Sequence, residues 1–265
     1  MRDYPHISHT GLAAQQWEMI AGGDDVPFYR ARIQRYGEPA LDCGCGAGRV
    51  LRQLLSEGVD VDGLDVSSDM IALCAEIAER EGLRPTLYRQ AFHEMDLPRS
   101  YRTIMIPGSF GLSATREQDL EALGRMHAHL APGGALVFDY GMDYQSPSWQ
   151  YWTREGRKHL PGPWGAAHSR IRARDGAEFV NRWRTLDVDP VDQAVWRQVH
   201  YEVRLDGVTV QAETHTMRVR CYLMWELTLM LRLAGFEDVE VTGDYTDEPA
   251  TRDHDTLVFT ARKSA

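Results

Sequence analysis

Between residues 39 and 140, short continuous apolar runs alternate with stretches whose apolar positions recur at helical spacing. PALDC (39–43), VDVDGLDV (59–66), residues 84–89, YRTIMIP (101–107) and ALVFDY (135–140) read as strands. Val50, Leu51, Leu54 and Leu55 mark a helix over 49–56, and Met70, Ile71, Cys74, Ile77 and Ala78 mark another over 68–81. Ser67 and Ser68 cap the second helix, Gly58 and Gly82 end the two, and a third helix is predicted over 116–130. Strands and helices in alternation build a parallel sheet covered by helices.

From residue 141 to 219 the period changes to two. EFVNRWRTLDV (178–188), QAVWRQVHYEVRL (193–205) and VTVQAETHTMRV (208–219) alternate in the manner of half-buried strands, separated by the turn DPVD and by Asp206-Gly207. An Asp-Gly dipeptide between alternating runs is a strong hairpin signal, so an antiparallel sheet is expected here. A helix over 221–234, stopped by Gly235, and two strands within FEDVEVTGDY and DTLVFTARK then return to the first pattern. The fold class that follows is α/β, a doubly wound Rossmann-like sheet with an antiparallel β-sheet inserted after the fifth strand.

Composition narrows the function. A hydrophobic fraction of 43% with 26% charged residues is that of a chain with a real core, and 265 residues suit one large domain or one domain carrying an insertion. With 29 Lys plus Arg against 39 Asp plus Glu the net charge is −10, which argues against nucleic acid and anionic membrane as partners. The four cysteines (Cys43, Cys45, Cys74, Cys221) lack zinc-site spacing and are too sparse for a disulfide framework, so no metal is expected and a reducing compartment is. The N-terminus has no apolar signal region and no run reaches a membrane span, from which a cytoplasmic location is expected.

The chemistry concentrates in ALDCGCGAGRV. A strand ends in Asp42, and Gly44, Gly46 and Gly48 follow at alternate positions before a helix begins. Glycines serve where the backbone takes positive φ or approaches a ligand, and the helix N-terminus beyond them offers free N–H groups. A dinucleotide fingerprint would read G-x-G-x-x-G, whereas the order here is D-x-G-x-G-x-G. An acid directly upstream suits a ligand carrying an ammonium group better than a diphosphate, which counts against a nicotinamide-dependent oxidoreductase.

These residues resemble the first motif of the class I S-adenosylmethionine-dependent methyltransferases, with Asp42, Cys43, Gly44, Gly46 and Gly48 in the motif positions. The resemblance continues through GLDVSSDM, where Asp65 matches the acid that binds both ribose hydroxyls, with Val66 beside it, and Met70 matches a side chain near the adenine. Ile106 and Pro107 match the loop after the fourth strand, LAPGGALVFD the approach to the fifth, and RLAGFEDVEV the step to the final antiparallel pair, which completes a seven-stranded sheet. Gln90, Ala91 and Phe92 stand where many relatives carry an adenine-reading acid, and Arg102 where an aspartate is common. The resemblance implies S-adenosyl-L-methionine as cofactor, S-adenosyl-L-homocysteine as product, and a division into an N-terminal helical lid (1–38), a cofactor core (39–140), a substrate-covering insertion (141–219) and a C-terminal completion of the core (220–265).

Because the sulfonium methyl is already activated, geometry and desolvation supply most of the acceleration, and a general base is needed only where the acceptor must lose a proton. Tyr29, Tyr140 and Tyr144 are the candidate catalytic residues, each readable also as a packing residue, and His6 and His9 are weighed against a solvated role. For the acceptor, Phe110, Trp149, Trp152 and Trp164 are candidate pocket aromatics, whereas Trp183 and Trp196, inside β-patterned runs, read first as packing. Residues 154–174 carry a net +5, and Arg170 and Arg172 within them are candidates for an anionic acceptor, with a solvated face as the alternative. The arrangement is similar to methyltransferases of nucleotide-linked amino sugars. The leading expectation is N- or O-methylation of a small molecule by a monomer or homodimer; the alternative is a catalytically silent cofactor-binding regulator or scaffold, which the changes at Ala91 and Arg102 keep open.

Overall fold

The computed structural model of the chain describes residues 9–20, 22–112, 114–141, 146–172 and 175–265. It divides into two compact units, one of residues 22–110, 115–144 and 222–265, the other of residues 1–21, 111–114 and 145–221.

The first unit is organised by β1 (Ala40–Cys43), whose four residues are all buried. Parallel neighbours enclose it on both sides, β2 (Val61–Asp65) placing Gly63 opposite Asp42 and β4 (Tyr101–Ile106) placing Met105 there. With β3 (Leu87–Arg89), β5 (Leu130–Gly141), β10 (Glu237–Gly243) and β11 (Thr256–Arg262), the sheet runs β10-β11-β5-β4-β1-β2-β3. β11 is antiparallel to both β5 and β10. Alternate strand residues feed two cores: Leu41, Ile104, Ile106, Leu136 and Phe138 join one cluster, and Ala40, Met105, Ala135 and Val137 the other. Helices α2 (Val26–Tyr36) and α3 (Arg49–Ser56) bury Tyr29, Val50, Leu51 and Leu54 in the second cluster; α5 (Arg116–His129) and α6 (Met224–Leu233) bury Leu123 and Leu227 in the first.

Local chemistry sets the helix ends. The Ser67 hydroxyl accepts from the Met70 N–H at 3.2 Å and starts α4 (Ser68–Arg80). Thr115 and Gln118 form a reciprocal capping box on α5, a Thr-x-x-Gln signal present in the sequence. The third strand is shorter than the predicted 84–89, and the fifth starts earlier, because Leu130 pairs with Tyr101 across a register shift.

The second unit is a four-stranded antiparallel sheet in the order β6 (His168–Ile171), β7 (Glu178–Asp189), β8 (Ala194–Leu205), β9 (Val208–Arg220). The last three strands follow the alternating runs; β6, exposed along its whole length, has no such pattern. Asp206 and Gly207 join β8 to β9 with φ of 50° and 78°, the positive pair of a type I′ turn. The turn before β8 is closed by the Asp189 carboxylate, which accepts from the Val191 and Asp192 N–H groups. Helix α1 (Gly11–Ile20) belongs to this unit, its Leu12 packing with Ala177, Phe179 and Val203. The segment 1–38, read from sequence as one lid, is thus shared between the two units.

Candidate active site at the carboxyl ends of the parallel strands

The strand order reverses between the parallel neighbours β1 and β4, the place where open α/β sheets bind ligands. Three acids stand at the carboxyl ends of strands around it: Asp42 on β1, Asp65 on β2 and Asp139 on β5. Asp42 is 1% exposed, and its Oδ1 has no hydrogen-bond partner among the described residues. Burial pushes its carboxyl up to about 7, with the nearby Arg49 guanidinium working in the opposite direction. An unpartnered buried acceptor is costly, and a cationic ligand at this strand end would offset that cost.

The loop after Asp42 is shaped by its glycines. Gly44, Gly46 and Gly48 all have positive φ, at 74°, 54° and 83°. A Cβ on Gly44 would lie 2.2 Å from the Ser109 Oγ, and one on Gly48 would lie 2.6 Å from the Cys74 Sγ, so both positions also require the missing side chain. Asp65 orders the same loop, its carboxylate accepting from the Gly46 N–H at 2.9 Å and the Ser67 N–H at 2.8 Å. Val66 beside it is 56% exposed, an apolar surface at a strand end, while Met70 is buried.

Asp139, which sequence reasoning passed over, anchors the far side. Its Oδ1 accepts from the Tyr29 hydroxyl at 2.5 Å and from the Gly108 N–H at 2.8 Å, tying α2 and the loop after β4 to the end of β5. Burial raises the Asp139 carboxyl, and the same burial, reinforced by Asp139, holds the Tyr29 phenol far above its ordinary value. Tyr245 packs edge-on to Tyr29 and Phe28, and its phenol is likewise raised by burial. Arg49, at the start of α3, forms a two-point ion pair with Asp25. The signal for Asp139 was available: like Asp42, it is an acid ending a buried apolar run.

Residues 40–134 match the family model of a methyltransferase domain. Over that segment, which holds Asp42, the glycine loop and Asp65, the chain is similar to the class I S-adenosylmethionine-dependent methyltransferases. A dTDP-3-amino-3,6-dideoxy-alpha-D-glucopyranose N,N-dimethyltransferase of Streptomyces fradiae is 29% identical over 146 residues, covering 51% of this chain and 55% of that one. Two solved structures share the fold across nearly the whole chain. The sugar N-methyltransferase KedS8 from Streptoalloteichus sp. has a TM-score of 0.70 at 18% identity, covering 100% of this chain and 97% of its own. An S-adenosylmethionine-dependent methyltransferase from Clostridium acetobutylicum has 0.71 at 14%, covering 95% and 98%.

The groups at this site fit S-adenosylmethionine: an unpartnered buried carboxylate oxygen for a cationic ligand, a glycine cradle, a strand-end acid and an apolar surface beside it. Gln90 spends its amide on its own loop, bonding the Asp96 backbone N–H and carbonyl at 2.9 and 3.2 Å. Ala91 caps the short helix containing Phe92, whose ring closely approaches Gly44. Ile106 is buried and Pro107 half-buried at the end of β4. Arg102 lies at the opposite end of β4, holding the Tyr36 and Pro132 carbonyls, so that departure from the family pattern leaves the site untouched.

The acceptor candidates fare differently. Phe110 is a core residue packed on Phe138 and Tyr222. The Tyr140 hydroxyl accepts from the Tyr222 N–H at 2.8 Å, and Tyr144, like His6, lies outside the described residues. In the other unit Trp149 and Trp152 stack on each other, and Trp164 lies against the Arg182 and Arg184 guanidiniums. Arg172 pairs at two points with Asp175 and packs over Phe179. Arg170 and Trp183 instead line a cavity of that unit, the reverse of the sequence expectation for Trp183. Trp196 is buried.

Proposed function

We propose that this methyltransferase methylates nitrogen or oxygen of a small-molecule acceptor, with an anionic, nucleotide-linked amino sugar as the acceptor class. The observation that carries the reading is the coverage of the sugar N-methyltransferase likeness, which extends through the inserted antiparallel sheet as well as the cofactor-type sheet. The partial sequence identity with the dTDP-amino-sugar dimethyltransferase supports the same class.

S-adenosylmethionine, when bound, supplies an activated sulfonium methyl. The chain's part is to bind and orient: Asp65 and Val66 at the end of β2 for the nucleoside, the glycine loop for close backbone approach, and Asp42 for the cationic end. Tyr29 acts as a positioning residue. Its raised phenol stays protonated and donates to Asp139, so it is not a base at neutral pH. A neutral amine needs none, because its proton is lost after the bond to carbon forms. The inserted unit selects the acceptor in this reading.

Calorimetry with S-adenosylmethionine and S-adenosylhomocysteine tests the cofactor half: both bind, and Asp65→Ala weakens binding at least about tenfold, as expected for a lost charge-assisted contact. Labelled methyl transfer to a dTDP-linked amino sugar tests the acceptor. Cofactor binding without transfer to any amine or hydroxyl acceptor would return the silent-regulator alternative.

A further inference from the structure

The basic stretch 154–174 is only partly spent on structure. Lys158 pairs with Glu155, Arg157 holds the Trp152 carbonyl and Arg172 holds Asp175. Arg170, on exposed strand β6, faces a cavity of about 600 Å³ formed between α1 and one face of the four-stranded sheet. Alternate residues bring the lining to that face: Asn181 and Trp183 on β7, and Arg197, Val199 and Tyr201 on β8. Asn181 is paired with Tyr201 and with His168, and Trp183 with Val199, so the groups form a continuous patch.

Three features of the lining specify a ligand. Arg170 and Arg197 supply two guanidiniums, and among the described lining residues none is acidic, in a chain of net charge −10. Trp17, Trp183 and Tyr201 supply aromatic surface, with the Arg197 guanidinium already 5.1 Å from the centre of the Trp183 ring. Finally, buried Gln16 accepts from the Asn181 amide at 3.0 Å, which leaves the Gln16 NH2 and the Asn181 carbonyl as an adjoining donor and acceptor. Guanidiniums bind phosphate, aromatic rings stack on a base, and an amide pair presents the complement of a base edge. The volume is that of a small-molecule site and exceeds what a lone phosphate fills.

We infer that this cavity binds a nucleoside diphosphate. The inference deepens the proposed acceptor class by giving its nucleotide a site, and takes the ligand's biological identity from that reading while its binding chemistry stands on the cavity alone. Titration of the full-length protein with thymidine diphosphate, followed by tryptophan fluorescence and calorimetry, should show saturable binding. Arg170→Gln and Arg197→Gln should each weaken it about tenfold, and pyrophosphate and uncharged thymidine should each bind at least about tenfold more weakly than the diphosphate. Arg170 is exposed, so its replacement leaves the fold intact, and unchanged S-adenosylmethionine affinity in both variants verifies this. A protein that binds S-adenosylmethionine but not the diphosphate overturns the inference and leaves the methyltransferase reading standing. Diphosphate affinity unaltered by Arg170→Gln, or equal affinity for pyrophosphate, overturns it as well. Diphosphate binding without S-adenosylmethionine binding would instead sink the proposed function and keep the site.

Discussion

Asp42 illustrates how burying one carboxylate costs stability. Its folded value, pushed to about 7, lies above the unfolded carboxylate range, so the folded state holds the proton more tightly. The stabilisation this gives is complete below about pH 4 and is lost as pH rises through about 7, a swing on the order of 4 kcal/mol. Asp42→Asn should therefore gain stability relative to the parent across that window, read by urea unfolding between pH 4 and 8. The parent's affinity for S-adenosylmethionine should rise with pH through about 7, and the variant's should stay flat and weak. A parallel pH response in the two proteins would exclude Asp42 as the titrating group. The motif made Asp42 legible from sequence; its missing partner was not, because burial depends on β2 and β4 closing around β1.

Among the elements, those with a local cause were read well and those held by a distant partner were not. The helix over 68–80 has its apolar stripe and its Ser67 cap in sequence, and the β8–β9 hairpin has its Asp-Gly turn. β6 has neither pattern nor turn and exists because β7 offers an edge to pair with. Trp183 and Trp164 show the same limit within one strand's surroundings. Period two puts Asn181 and Trp183 on the cavity face and Arg182 and Arg184 on the other, and it is the latter pair that captures Trp164. From sequence Trp164 reads as a pocket candidate and Trp183 first as packing; strand register, which composition does not carry, places them the other way round. A prediction at this scale concerns α5: Thr115→Ala removes the hydroxyl that accepts from the Gln118 N–H at 3.2 Å, and should cost about 1 kcal/mol in chemical denaturation. A loss below a few tenths would mean the capping box contributes nothing.

For the whole molecule, two separate sets of buried residues imply two separable stabilities. Leu12 on α1 belongs to a cluster with Phe179 and Val203, whereas Leu51, Leu54 and Met105 belong to the other unit. Removing residues 1–21 should therefore lower hydrogen-exchange protection in β7 and β8 while β1, β4 and β5 keep theirs. Equal loss in both sheets would show that the units do not open independently. The parallel sheet was readable from sequence because β1, β4 and β5 carry local apolar runs. The assignment of α1 to the antiparallel unit was not, since it rests on Leu12 meeting side chains more than one hundred residues away.

That assignment bears on how such enzymes diversify. The antiparallel unit is assembled from three stretches of chain: the N-terminal helix, residues 111–114, where Leu112 bridges to Val219, and the long insertion. It is consequently no cassette. A recombination that exchanged residues 145–221 alone would strand Leu12 without its apolar neighbours and Leu112 without its strand, so the unit tolerates changed side chains on the existing sheet more readily than a traded sheet.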